Sequence, residues 1–272
     1  MSLTSLEQLA AAQVAIFGSL VFITIYIAFK HGRKGLMVWQ ILAGLEVCMI
    51  ILGALHIAQN GNPNSYSARI RILTSGILSQ LAIVPIGIIY EVCLFIPTIK
   101  PWTNRINLIA IHIICLLCII LGTVFGTTSR NDAGVDVPKN RAAAGTGWIL
   151  LFLVLVLILT EAIYLLFYRV QDTVNARSAH LVKILLAAII FATPFSMVRV
   201  VHEIVYLFDP GEAQNLETGR FFMIFIVAFS MPLCVVVIFV VAGFLTREIG
   251  GLTVEVVGED GSRAWRRDEV PS

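Results

Sequence analysis

Seven long apolar runs, each bounded by polar or turn-forming residues, set the pattern of this chain. They extend roughly from Gln13 to Phe29, Leu36 to Ala58, Ile72 to Ile96, Ile106 to Phe125, Gly147 to Tyr168, Leu181 to Phe208 and Phe221 to Leu245. A helix needs about 20 mainly apolar residues to cross the hydrocarbon core of a bilayer. Each run therefore predicts one spanning helix, and the fold class is an all-α membrane protein, a seven-transmembrane helix bundle over residues 1–246. Between the runs lie Lys30-His31-Gly32-Arg33-Lys34-Gly35, Asn60-Gly61-Asn62-Pro63-Asn64 and Asp209-Pro210-Gly211-Glu212. The first run has Glu7 ahead of it and no basic residue, so no cleaved signal peptide is expected. Residues 247–272 are polar and mixed in charge and read as a disordered tail.

Composition supports this pattern. Hydrophobic residues make up 58% of the chain and charged residues 13%, against about 25% charged in a soluble domain. That excess of apolar surface must face lipid. The net charge of +2 and the absence of a Lys/Arg stripe give no reason to expect nucleic acid. All five cysteines (Cys48, Cys93, Cys115, Cys118 and Cys234) lie inside apolar runs, so they form no disulfide framework. His112, Cys115 and Cys118 are spaced like ligands, but Cys118 falls about two-thirds of a turn round from His112, and no metal is expected there.

Orientation follows from the loop cations. Six Lys and Arg residues lie on the N-terminal side (Arg69, Arg71, Arg130, Lys139, Arg141 and Arg220), and twelve lie on the other side. The N-terminus is therefore expected outside or in the lumen and the C-terminus in the cytosol.

Chemistry is concentrated inside the spans. Charged residues at mid-bilayer cost about 2.5–3.5 kcal/mol on insertion scales and normally face the bundle interior. Glu46, Glu91, Glu161, Glu203, Arg199, His56, His112 and His202 all fall in runs, which points to a polar pocket. Helical spacing puts Glu46, Met49, Gly53 and His56 on one face of span two. It does the same for Gln80, Gly87 and Glu91, for Glu161, Tyr164 and Tyr168, and for Arg199, His202, Glu203 and Tyr206. Arg199 and Glu203 are four apart and can pair within one helix. Pro85, Pro194 and Pro232 each remove a backbone donor inside a span, and such breaks are tolerated beside neighbouring helices or a wet cavity. A carboxyl group desolvated in such a pocket favours its neutral form and can serve as a general acid. Glu46 has no basic residue close in sequence and is the expected proton donor. Phe191, Phe195 and Tyr206 could shield a cation if they face the pocket. Trp39, Trp102 and Trp148 lie near span ends, where aromatic residues form interfacial belts.

Several classes are excluded. Span seven has no lysine for a retinal Schiff base, span three ends without an acidic-Arg-Tyr triplet, and span seven lacks Asn-Pro-x-x-Tyr. No Gly-rich phosphate loop is present, nor an Asp-Asp-x-x-Asp cluster for magnesium diphosphate; Asp132 and Asp136 read as solvated loop charges.

The turn His31-Gly32-Arg33 after span one and the stretch Ala192-Thr193-Pro194-Phe195-Ser196-Met197-Val198-Arg199 resemble a family of fungal seven-span integral membrane proteins over about residues 10 to 245. Some members resemble the membrane-bound terpene cyclases of meroterpenoid pathways, of the ascofuranone and macrophorin type. The resemblance implies protonation-initiated cyclisation of a farnesyl-type chain on a lipophilic, prenylated precursor, with no metal and no cofactor. On that expectation Glu46, Arg199, His202 and Glu203 are catalytic, and His56, Glu91, Glu161, Phe195 and Tyr206 bind substrate. The endoplasmic reticulum is the expected membrane rather than the plasma membrane. The alternative is a seven-span lipid transporter, exporter or sensor without chemistry; a third is an accessory membrane protein whose carboxylates join helices.

Overall fold

The computed structural model describes residues 4–58, 67–96, 99, 101–126, 137–173, 176–209, 220–249, 254–257 and 263–266, with backbone only at 33, 34, 67–69, 71, 101–105 and the two segments after 253. Among the described residues, seven helices are long and apolar enough to span a membrane: α1 (Ser5–Gly32), α2 (Gly35–Ala58), α3 (Ile72–Cys93), α4 (Ile106–Phe125), α5 (Pro138–Asp172), α6 (Ala176–Phe208) and α7 (Phe221–Leu245). All seven predicted spans are present. The helices at 5–12, 138–146 and 176–180 extend beyond the apolar runs, because a helix can continue into water after its apolar face ends.

The packing order follows the chain. The α1–α2 pair packs on α3, each later helix packs on its predecessor, and α7 returns to the α1–α2 pair. α3 also crosses to α6, and these two are the most deeply buried spans. The inward face of α2 carries Trp39, Leu42, Leu45 and Met49, all fully buried, at the spacing of one helical face. Outward lie Phe22, Phe29, Leu157, Phe167 and Phe222, all well exposed. Exposed apolar side chains of this size require lipid around them.

Glycine and proline mark two departures from regular helix. Between α1 and α2, Gly32 adopts φ 67° and ψ −166°, a region essentially confined to glycine, and this reverses the chain within a few residues. In α7, Ile224–Ser230 is wound as a π-helix immediately before Pro232. The wider turn accommodates the proline's missing donor, and Ser230 Oγ donates to the Phe225 carbonyl at 2.8 Å. Pro85 and Pro194, by contrast, lie within α3 and α6 without ending them. At the other end of the bundle, Arg141 of α5 donates through Nε to the Leu207 carbonyl at 3.0 Å and through Nη2 to that of Phe208. It thereby satisfies carbonyls that the end of α6 leaves open.

Beyond the bundle, Val254–Val257 pairs antiparallel with Arg263–Arg266. Of the tail expected to be disordered, residues 247–249 continue from α7 in a turn. Its residues beyond that turn and the two paired segments, the loop carrying Asp132 and Asp136, and the Trp102 side chain lie outside the described residues.

Candidate functional site

Three groups of buried polar side chains stand out among the described residues. The first ties α1, α3 and α7 together at the end of the bundle where α1 turns into α2. His31 and Glu91 are buried, and His31 Nδ1 lies 2.7 Å from Glu91 Oε1. His31 Nε2 lies 3.1 Å from the Gly243 carbonyl, and Thr246 Oγ1 lies 3.4 Å from the same nitrogen. A carbonyl only accepts, so Nε2 carries a proton. The Nδ1···Oε1 contact then holds one further proton, whether on an imidazolium or on a carboxylic acid. The pair is neutral as a unit in either form, which suits its burial. Gly35 makes the approach possible: a Cβ at this position would sit 2.5 Å from Glu91 Oε1 and 2.7 Å from the His31 Cβ. The Trp39 ring covers His31 at 4.7 Å between centroids. Glu91 Oε2 is buried with no hydrogen-bond partner among the described residues.

The second group is at the middle of the α1–α2 hairpin. Glu46 is fully buried, and Thr24 Oγ1 donates to its Oε1 at 2.7 Å. Glu46 Oε2 is buried and has no hydrogen-bond partner among the described residues. One carboxyl oxygen is thus fixed by the neighbouring helix, and the other is uncommitted. Nearer the end of the hairpin, Gln13 Nε2 donates to the Met49 carbonyl at 2.6 Å, and His56 Nε2 is buried without a hydrogen-bond partner among the described residues.

The third group is on α6. Arg199 Nη1 donates to Glu203 Oε1, four residues on, with Arg199 2% and Glu203 19% exposed. The rings of His202 and Tyr206 stack with an interplanar angle of 8° at 6.4 Å. Phe195 is half-buried against the core, whereas Phe191 is 67% exposed. The ion pair and its aromatic neighbours therefore share the segment after Pro194, as the helical spacing predicts. The side chain that holds Glu46 is Thr24 of α1, not a member of this group.

The stripe expected on span five is placed differently. Glu161 is half-buried, but Tyr164 and Tyr168 stack on each other 46% and 70% exposed, facing outward. His112 donates from Nδ1 to the Leu108 carbonyl on its own helix at 2.8 Å, while Cys115 and Cys118 are buried. Sequence reasoning missed His31 and Thr24 as members of buried groups. His31 belongs to a basic turn, and its neighbours Lys30, Arg33 and Lys34 mark that turn as interfacial. Only the small Gly35, one turn on, hints that a side chain from another helix comes close.

Fold and site together define a multi-pass integral membrane protein with carboxyl groups buried in its helix bundle. Residues 3–249 match the family described as Domain of unknown function (DUF7702), and the chain belongs to that family. Comparison with curated proteins and with solved structures finds no match.

Proposed function

We propose that this protein is a membrane-bound terpene cyclase, in which Glu46 protonates a prenyl chain carried by a lipophilic precursor. The carrying observation is the state of Glu46: fully buried, one oxygen held by Thr24 and the other uncommitted. A proton donor to an alkene or epoxide needs this combination of a fixed carboxyl group, exclusion from bulk water and a free oxygen. Glu46 would give its proton to the terminal alkene carbon or the epoxide oxygen. Ring closure would follow, and loss of a proton from carbon next to the final cation would leave an isomer of the substrate. Glu203 or His202 would accept that last proton, with Arg199 holding Glu203 in place. The prenyl-chain part of this reading rests on the resemblance carried by His31-Gly32-Arg33 and the Ala192–Arg199 segment. The charge census supports a cytosolic C-terminus, and residence in the endoplasmic reticulum belongs to the same proposal.

Membranes containing the chain, incubated with a farnesylated phenol or its terminal epoxide, should form a cyclic isomer of equal mass, read by chromatography and mass spectrometry. Absence of any cyclic product across a panel of prenylated phenols and epoxides would refute the proposal. A second reading, a lipid transporter or sensor, is favoured by one observation: an apolar groove between α1 and α7, lined by Phe22, Tyr26, Val241 and Phe244, opens to the lipid side. Movement of a lipid between leaflets without chemical change would favour it.

A further inference from the structure

We infer that the groove between α1 and α7 is a binding site for one anionic glycerophospholipid, with an acyl chain along the groove and the phosphate-bearing headgroup between Lys30 and Arg247. The groove has a volume of about 540 Å³ and an apolar lining drawn from one face of each helix, including Phe22, Tyr26, Val240 and Phe244. That size falls within the range of small-ligand sites. Its chemistry changes at one end. Lys30 Nζ lies 5.7 Å from the centroid of the Tyr26 ring and Arg247 Cζ lies 4.5 Å from that of Phe244, so two cations stand on two rings that themselves line the groove.

Both cations are exposed, and neither has an ion-pair partner among the described residues. The nearest acid in sequence, Glu248, is bound by Arg177 instead. An apolar channel ending in two cations with no ion-pair partner among the described residues is complementary to an amphiphile with a negative head. A neutral lipid would leave both cations unused. Basic side chains beside a membrane attract anionic lipids, each contributing about a five-fold change in affinity. This end of the bundle is also the one that the loop cations assign to the cytosol, the leaflet in which anionic lipids gather. The site borders the buried His31 group, since Arg247 follows Thr246 and Phe244 follows Gly243. It does not depend on Glu46 or on the cyclase proposal.

The test is native mass spectrometry of the full chain in detergent, titrated with phosphatidylserine and with phosphatidylcholine of the same acyl chains. One phosphatidylserine should be retained about 25-fold more tightly than phosphatidylcholine. Lys30→Gln and Arg247→Gln should each weaken it about five-fold, and the double variant about 25-fold. Lys183→Gln removes an exposed charge at the same end of the bundle and should change nothing. Val241→Trp should weaken retention by filling the groove. Equal affinity for the two lipids, an equal loss in Lys183→Gln, or unaltered binding in Val241→Trp would each overturn the inference. Displacement of phosphatidylserine by an equal concentration of uncharged farnesylated phenol would overturn it too, and would assign the groove to that compound.

Discussion

His31 and Glu91, sixty residues apart, meet at 2.7 Å with both side chains buried. The contact fastens the end of α1 to the end of α3, and the Gly243 carbonyl on the far side of His31 adds α7. Because the Nε2 proton is committed to that carbonyl, the remaining proton is shared along Nδ1···Oε1 and no net charge is buried.

That sharing makes the amide variant informative. Glu91→Gln retains a donor toward Nδ1 and should lower stability by no more than about 1 kcal/mol. Glu91→Ala leaves His31 without its partner and should cost about 3–5 kcal/mol. Thermal unfolding of the purified protein in detergent should show a wide gap between the two. Equal loss in both would mean that charge, rather than the shared proton, holds the contact.

Gly35→Ala should resemble Glu91→Ala, because the new Cβ would fall 2.5 Å from Glu91 Oε1. Gly18→Ala, also in a spanning helix, meets nothing within 4 Å and should be neutral or stabilising by up to about 1 kcal/mol. A melting comparison of the two alanine variants checks the close approach directly.

The Arg199–Glu203 pair is unequally buried, and this predicts an asymmetry. Glu203→Ala strands Arg199, which is 2% exposed, whereas Arg199→Met strands a carboxylate that is 19% exposed. The first should cost about 3–5 kcal/mol and the second distinctly less. Melting temperatures in the opposite order would place the main stabilisation elsewhere on α6.

For the proposed activity, Glu46→Gln should lower cyclisation by about 10²–10⁴-fold, the usual share of a general acid, while yield and melting temperature hold. Thr24→Val should also reduce turnover, since it frees the carboxyl group, and should leave substrate retention unchanged. Full activity in Glu46→Gln would remove the residue from the role of donor.

Orientation has a direct readout. A glycosylation acceptor placed ahead of α1 should be modified in a eukaryotic expression host, and one added after residue 272 should not. The reverse pattern would refute the reading of the loop cations.

The spans were legible because twenty apolar residues in succession admit few alternatives, and α7 matches its apolar run to the residue. The helix starts at Ser5 and Pro138 were not legible, since hydropathy falls where a helix leaves lipid but hydrogen bonding does not. Spacing identified which residues share a face and could not tell which face is inside. The stripe on α6 has Arg199 and His202 buried, while Tyr164 and Tyr168 of α5 face outward. Pairing between helices was the least visible level. Nothing local to Glu46 points to Thr24, and nothing local to Glu91 points to His31.

The positions of these partners bear on how the chain is made. Thr24 precedes Glu46 and His31 precedes Glu91, while Arg199 and Glu203 share one helix. During synthesis from the N-terminus, each of these acids thus reaches the bilayer with its companion already inserted or arriving in the same turn. The bundle can be laid down in order of translation, with none of the three left waiting in hydrocarbon for a helix still on the ribosome.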